Sequence, residues 1–146
     1  MELYLAHQLG NRKDVREWEI RFEKRTGINL INPFYDCPNR KDIKLLDTLN
    51  KEQIMEYLVT RDEKDCQTIV ERDLALIRKS DGVVAFVTGS IGTSMEVIMA
   101  FRVFGLPVYV ISDKYYMHAW IQVNSTKVFK DKEQFEEFIC KKYSKG

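Results

Sequence analysis

Residues Ser80 to Glu96 constrain the fold more than any other part of this chain. Val83-Val84-Ala85-Phe86-Val87 is an unbroken apolar run. A strand with no polar alternation is one buried on both faces, which is how parallel strands are used. A glycine-bearing turn follows, Thr88-Gly89-Ser90-Ile91-Gly92. The spacing then predicts a helix over Thr93–Phe104 that is nearly all apolar, with Met95, Val97, Ile98, Met99, Ala100, Phe101, Val103 and Phe104. Its one acid is Glu96, placed in the first turn. In open α/β sheets, ligands bind just beyond the carboxyl ends of the strands, where this sequence puts that carboxylate.

The rest of the chain repeats the alternation. Strands are expected at Leu3–Ala6, Ile28–Ile31, Val83–Val87 and Val108–Ile111, with a short edge strand at Lys127–Phe129. Helices are expected from Lys13 to about Arg25, over Asp42–Leu58 and Cys66–Lys79, briefly over Tyr115–Ile121, and over Asp131–Tyr143. His7 to Arg12 and Phe34 to Arg40 read as loops, and Asp62–Asp65 as a charged break. This order predicts an α/β fold: a doubly wound, Rossmann-like or flavodoxin-like sheet of four or five mostly parallel strands flanked by helices.

The length of 146 residues predicts one domain over 1–146, large enough to bury a core without covalent staples. With 23 basic and 22 acidic residues the net charge is +1, so no nucleic-acid polymer is expected as a partner. Cys37, Cys66 and Cys140 are widely spaced and form no metal-ligand pattern. They read as reduced thiols of a cytoplasmic protein. The opening residues read as a strand rather than a signal peptide, and no apolar run has the length of a membrane span. No metal or cofactor is expected.

Two carboxylates resist a bland reading. Ile69, Asp73 and Ile77 are four apart and share a helix face, so Asp73 interrupts an apolar stripe. A carboxylate there is unfavourable unless it is hydrogen-bonded or put to use. A structural acid bonded to a neighbouring loop is one reading, a site residue the other. For Glu96, Thr93-Ser94-Met95-Glu96 matches the S/T-x-x-E capping box. It reads either as a cap or as a carboxylate whose ionised form the helix dipole favours.

The turn from Gly89 to Gly92, with the Ser90 and Ser94 hydroxyls, offers backbone amides that suit an anion such as phosphate. Neither GxGxxG nor GxxxxGK[ST] occurs, which removes the dinucleotide and Walker-type readings. Tyr4 lies in the first strand near its carboxyl edge. His7 follows in the next loop, and His118 is the second of only two histidines.

Together these pieces resemble the nucleoside 2-deoxyribosyltransferase superfamily. The matching segments, in order, are Tyr4-Leu5-Ala6, Asp73-Leu74-Ala75-Leu76-Ile77, Ser80-Asp81-Gly82-Val83-Val84-Ala85, Gly92-Thr93-Ser94-Met95-Glu96 and Gly105-Leu106-Pro107-Val108. The resemblance implies that Glu96 attacks an anomeric carbon and forms a glycosyl-enzyme intermediate. It implies that Asp73 hydrogen-bonds sugar or base and aids the leaving group, and that Tyr4 orients Glu96.

Where transferases of free nucleosides often carry D-x-G-x-x-x-E, this chain has Ser90-Ile-Gly92-Thr-Ser-Met-Glu96. That is closer to the S-x-G-x-x-x-E of the 2'-deoxynucleoside 5'-phosphate N-hydrolases, in which the serine helps bind phosphate. The resemblance thus implies hydrolysis of the base–sugar bond of a (deoxy)nucleoside 5'-monophosphate. Ser90, Gly92 and Ser94 would contact substrate, with the loop at His7 and Gln8. Base exchange between nucleosides, or nucleotide binding without turnover, are the alternatives. In relatives a neighbouring subunit completes the site, which implies a homodimer or larger homo-oligomer. The comparable segment is Tyr115 to Asn124, with His118 and Asn124 as polar candidates. Its aromatics Tyr115, Tyr116 and Trp120 suit subunit packing more than a base pocket.

Overall fold

The computed structural model describes residues 1–36 and 47–143. Five strands form one sheet: β1 (Glu2–Ala6), β2 (Asn29–Ile31), β3 (Gly82–Phe86), β4 (Val108–Ile111) and β5 (Lys127–Phe129). Their spatial order is β2-β1-β3-β4-β5, and every pairing is parallel. The expected α/β class and the strand count hold. In register, Tyr4 of β1 lies opposite Ile31 of β2 and Val83 of β3. The chain leaves β1 toward β2 and returns over β1 to reach β3. The carboxyl ends of β1 and β3 therefore bound the crevice of a doubly wound sheet.

Helices cover both faces, as the continuous apolar strands require. The helices are α1 (Arg12–Thr26), α2 (Lys51–Val59), α3 (Glu63–Lys79), α4 (Ile91–Ile98), α5 (Ala119–Val123) and α6 (Lys132–Tyr143). On one face Trp18 and Phe22 of α1 and Phe135 and Ile139 of α6 pack on Leu3, Leu5, Val84 and Tyr109. Phe22 and Phe135 stack with centroids 5.6 Å apart. On the other face Ile77 of α3, Val97 of α4 and Ile121 of α5 pack on Tyr4, Ala6, Val83, Ala85 and Val110. Fully burying one such aliphatic side chain contributes about 1.5–3 kcal/mol.

Local chemistry sets the element ends. The expected break at Asp62–Asp65 is itself a helix start, because Asp62 accepts a hydrogen bond from the Asp65 amide at 2.8 Å. Such a cap contributes about 1 kcal/mol. Of the helix expected over Asp42–Leu58, residues 42–46 lie outside the described residues, as do 37–40 of the expected loop. The described remainder is α2, capped by Asn50 and Gln53 in a reciprocal capping box. A 3-10 turn, Leu9–Asn11, occupies part of the expected first loop. Residues 113–117 are turns, and α5 begins only at Ala119 rather than Tyr115.

The helix after β3 departs most from expectation. It starts at Ile91, not Thr93, and after Ile98 it widens into a π-helical turn over Met99–Val103. There the Phe104 amide reaches back to the Met99 carbonyl. π-turns of this kind are found disproportionately near functional sites.

Candidate active site

Three elements deliver three polar side chains to one place. Tyr4 comes from β1, Asp73 from the middle of α3 and Glu96 from the second turn of α4. Asp73 and Glu96 line a cleft of about 830 Å3 whose walls include Ile69 and Val70 of α3 and Ile91, Met95 and Met99 beyond β3. The Tyr4 side chain is fully buried on the α3 and α4 face of the sheet and does not line the cleft itself.

The capping reading of Glu96 does not hold. Ser90 is the N-cap, and the first backbone bond of the helix runs from the Ser94 amide to the Ser90 carbonyl at 3.2 Å. Glu96 therefore stands six residues into the helix, past the orphan amides that a capping carboxylate would serve. The helix began one turn too early for the box.

The electrostatics join the three groups. The Tyr4 phenol is held well above its usual pKa, first by burial and then by the charges of Glu96 and Asp73. It interacts directly with the Glu96 side chain, although no hydrogen bond of full geometry forms at its hydroxyl. A phenol so placed stays neutral and acts as a donor toward carboxylate. The opposing influence is Arg72, whose guanidinium draws the Tyr4 pKa down. Arg72 Nε and Nη2 each lie 3.2 Å from Asp73 Oδ1.

The turn that admits α4 is shaped by glycine. Gly89 has φ +100°, and a side chain there would also begin 3.2 Å from the Tyr115 hydroxyl. Gly92, in the first turn of α4, faces open space inside the cleft. The two serines differ. Ser94 Oγ donates to the Ser90 carbonyl at 3.1 Å, whereas the Ser90 hydroxyl makes no cap. Thr93 is buried at 2% exposure, and its hydroxyl has no partner.

The remaining candidates are placed elsewhere. His7 is buried, with Nε2 3.1 Å from Asn32 Oδ1 and Nδ1 3.2 Å from the Gln8 carbonyl. Asn32 in turn donates to Glu19, which is fully buried and paired with Arg16. His7 and Gln8 thus belong to a polar brace between the exits of β1 and β2, and neither lines the cleft. His118 caps α5, accepting from the Trp120 amide at 3.3 Å. With Tyr115 and Trp120 it lines a second hollow of about 350 Å3 that shares Gly89, Ser94 and Ile98 with the cleft. Asn124 commits its amide to Arg102 Nε at 2.6 Å and to the Trp120 carbonyl at 2.8 Å, and lines neither space.

Sequence reasoning passed over Arg72, because neighbouring residues on a helix do not normally face each other. It also passed over the brace of Glu19 and Asn32, whose members are scattered between α1 and the end of β2. Among the described residues, no three His, Cys, Asp or Glu side chains gather as a metal centre would require. Cys66 and Cys140 are exposed free thiols, and Cys37 lies outside the described residues. Among the described residues, no helix is long and apolar enough to cross a membrane.

No protein-family model and no curated protein matches the chain. Solved structures do. A 2-deoxyribosyltransferase from the psychrotolerant bacterium Bacillus psychrosaccharolyticus superposes with a TM-score of 0.62. The match is 17% identical and covers 93% of this chain and 90% of that one. At that identity the likeness concerns architecture: this chain has the fold of a 2-deoxyribosyltransferase.

Proposed function

We propose that the chain is an N-glycosidase that hydrolyses the base–sugar bond of a (deoxy)nucleoside 5'-monophosphate. The observation that carries this reading is the meeting of Glu96, Asp73 and Tyr4 at the β1/β3 crevice, with Glu96 released from any capping role. A Glu96 carboxylate oxygen attacks the anomeric carbon as the bond to the base nitrogen breaks, and the bonding pair leaves with the base. The departing nitrogen takes up a proton. Water then attacks the same carbon, releases the sugar phosphate and restores the carboxylate, with its proton passing to solvent. The transition state carries positive charge on the sugar, which the two carboxylates stabilise. Tyr4 holds Glu96 in line, and Asp73 binds a sugar hydroxyl or the base. The amides at the start of α4 and the Ser90 hydroxyl receive the phosphate.

The fold neighbour favours a second reading, transfer of deoxyribose between bases, since that protein is itself a 2-deoxyribosyltransferase. The same three residues serve it, and an acceptor base replaces water. Incubation with a deoxynucleoside 5'-monophosphate, with and without a second base, decides between them. Free base and sugar phosphate in both mixtures support hydrolysis. A new nucleoside or nucleotide in the second mixture supports transfer, and no release of base in either overturns both.

A homo-oligomer accords with this reading. Trp120 at the second hollow and Ile91 and Met95 at the cleft are all more than half exposed, as are Met117 and Val123. Large apolar side chains grouped on one side of a fold are the usual material of subunit contacts.

A further inference from the structure

We infer that Arg72 is a positioning residue that keeps Asp73 ionised and fixed at the cleft, so that Asp73 acts as a hydrogen-bond acceptor and not as a proton donor. The inference rests on the glycosidase reading for its consequence, and on geometry for its substance. Side chains at i and i+1 diverge by about 100° around a helix, so their contact is not a default of helix packing. Here the guanidinium turns across that angle and aims both Nε and Nη2 at one oxygen, Asp73 Oδ1, at 3.2 Å each. The pair is not a surface ornament, for the two side chains are only 26% and 18% exposed.

Charge balance gives the contact a purpose. Among the described residues, the charges that act on the Tyr4 phenol are Glu96 of α4 and Asp73 and Arg72 of α3. Two carboxylates near a buried phenol repel, and each disfavours the charged form of the other. The Arg72 guanidinium held against Asp73 opposes that tendency. Both acids can then be charged together, Glu96 to attack and Asp73 to accept from a hydroxyl or N–H of the substrate. Asp73 Oδ1 is the oxygen held by Arg72, and a carboxylate has further lone pairs to offer.

The test compares Arg72→Gln, Arg72→Met and Arg72→Lys with the wild type. The expected result is an acid limb of the kcat/KM profile that moves up by about one pH unit in Arg72→Gln and Arg72→Met. Activity would fall about tenfold on that limb and far less on the alkaline plateau, and Arg72→Lys would restore the limb. A lowered melting temperature with an unmoved limb marks a merely structural role and overturns the inference. The carboxyl titration of Asp73, followed by 13C NMR, is read in the same proteins. If the wild type releases no base from any nucleoside or nucleotide, the glycosidase reading fails on its own. The NMR midpoint then decides: a rise in Arg72→Gln or Arg72→Met supports the inference, and an unchanged midpoint overturns it.

Discussion

Ser94 gives its hydroxyl proton to the Ser90 carbonyl at 3.1 Å, whereas the Ser90 hydroxyl at the entry of α4 makes no cap. The two serines are therefore not equivalent toward an anion. Ser90→Asp is expected to lower kcat/KM for a nucleoside 5'-monophosphate at least tenfold while changing the unphosphorylated nucleoside little. The expectation follows from replacing a donor worth about 1.5–3 kcal/mol to a charged partner with a like charge. Ser94→Ala is expected to alter the two substrates alike. Side-by-side kinetics check both; equal loss on both substrates in Ser90→Asp would remove phosphate from that position.

Glu96→Gln is expected to reduce turnover at least about a thousandfold, the scale of losing a nucleophile. Because Glu96 does not cap α4, the thermal midpoint should stay within a few degrees of the wild type. Activity near the wild-type level in a folded Glu96→Gln protein would end the nucleophile assignment.

Tyr4→Phe separates function from stability by sign. The buried hydroxyl lacks a hydrogen bond of full geometry, so its removal should leave the melting temperature unchanged or raise it. Turnover should nevertheless fall about 10–100-fold if the phenol orients Glu96. A Tyr4→Phe enzyme with normal kcat would show that the hydroxyl serves neither end.

Asp73→Asn keeps shape and removes charge. It should cut kcat/KM at least about tenfold, through a site whose electrostatics are pre-set, and leave the far-ultraviolet circular dichroism and the melting temperature nearly intact. A large loss of stability with an unchanged rate would identify a structural acid.

Glu19 makes a prediction about folding alone. Burial pushes its carboxyl up from 4.5, partly offset by bonds from Asn32 and Arg16. An acid raised in the folded state contributes stability that is complete below the unfolded value and lost as pH rises through the folded one. Wild-type stability should therefore decline as pH climbs above about 4.5 by more than it does in Glu19→Gln. Denaturant midpoints measured across that window test it, and parallel curves for the two proteins would refute it.

The layered fold was legible because its signal is crude and repeated. Runs such as Val83–Val87 and Val108–Ile111 have no polar alternation, and burial on both faces follows from that directly. The cleft was legible where a residue violated its own pattern, as Asp73 does among Ile69 and Ile77. Reading failed where a local motif fits in more than one frame. Thr93 and Glu96 satisfy the spacing of a capping box, yet the helix begins one turn earlier, at Ile91. It failed again where the partner is remote, since nothing adjacent to Asn124 reveals that Arg102 and Trp120 occupy its amide. The π-turn after Ile98 has no spacing signature that distinguishes it from a continued α-helix.

The position of β1 between β2 and β3 has a kinetic consequence. Its neighbour β2 lies one helix away, but β3 lies far along the chain, and the Glu2 amide to Asp81 carboxylate bond spans 79 positions. Closing a loop of that length must precede the pairing that rewards it, which slows folding in proportion to topology more than to stability. During synthesis β1, α1 and β2 would wait with one edge of β1 exposed until β3 arrives. Tyr4 would emerge from the ribosome long before Asp73 or Glu96, so the meeting of the three should come abruptly and late.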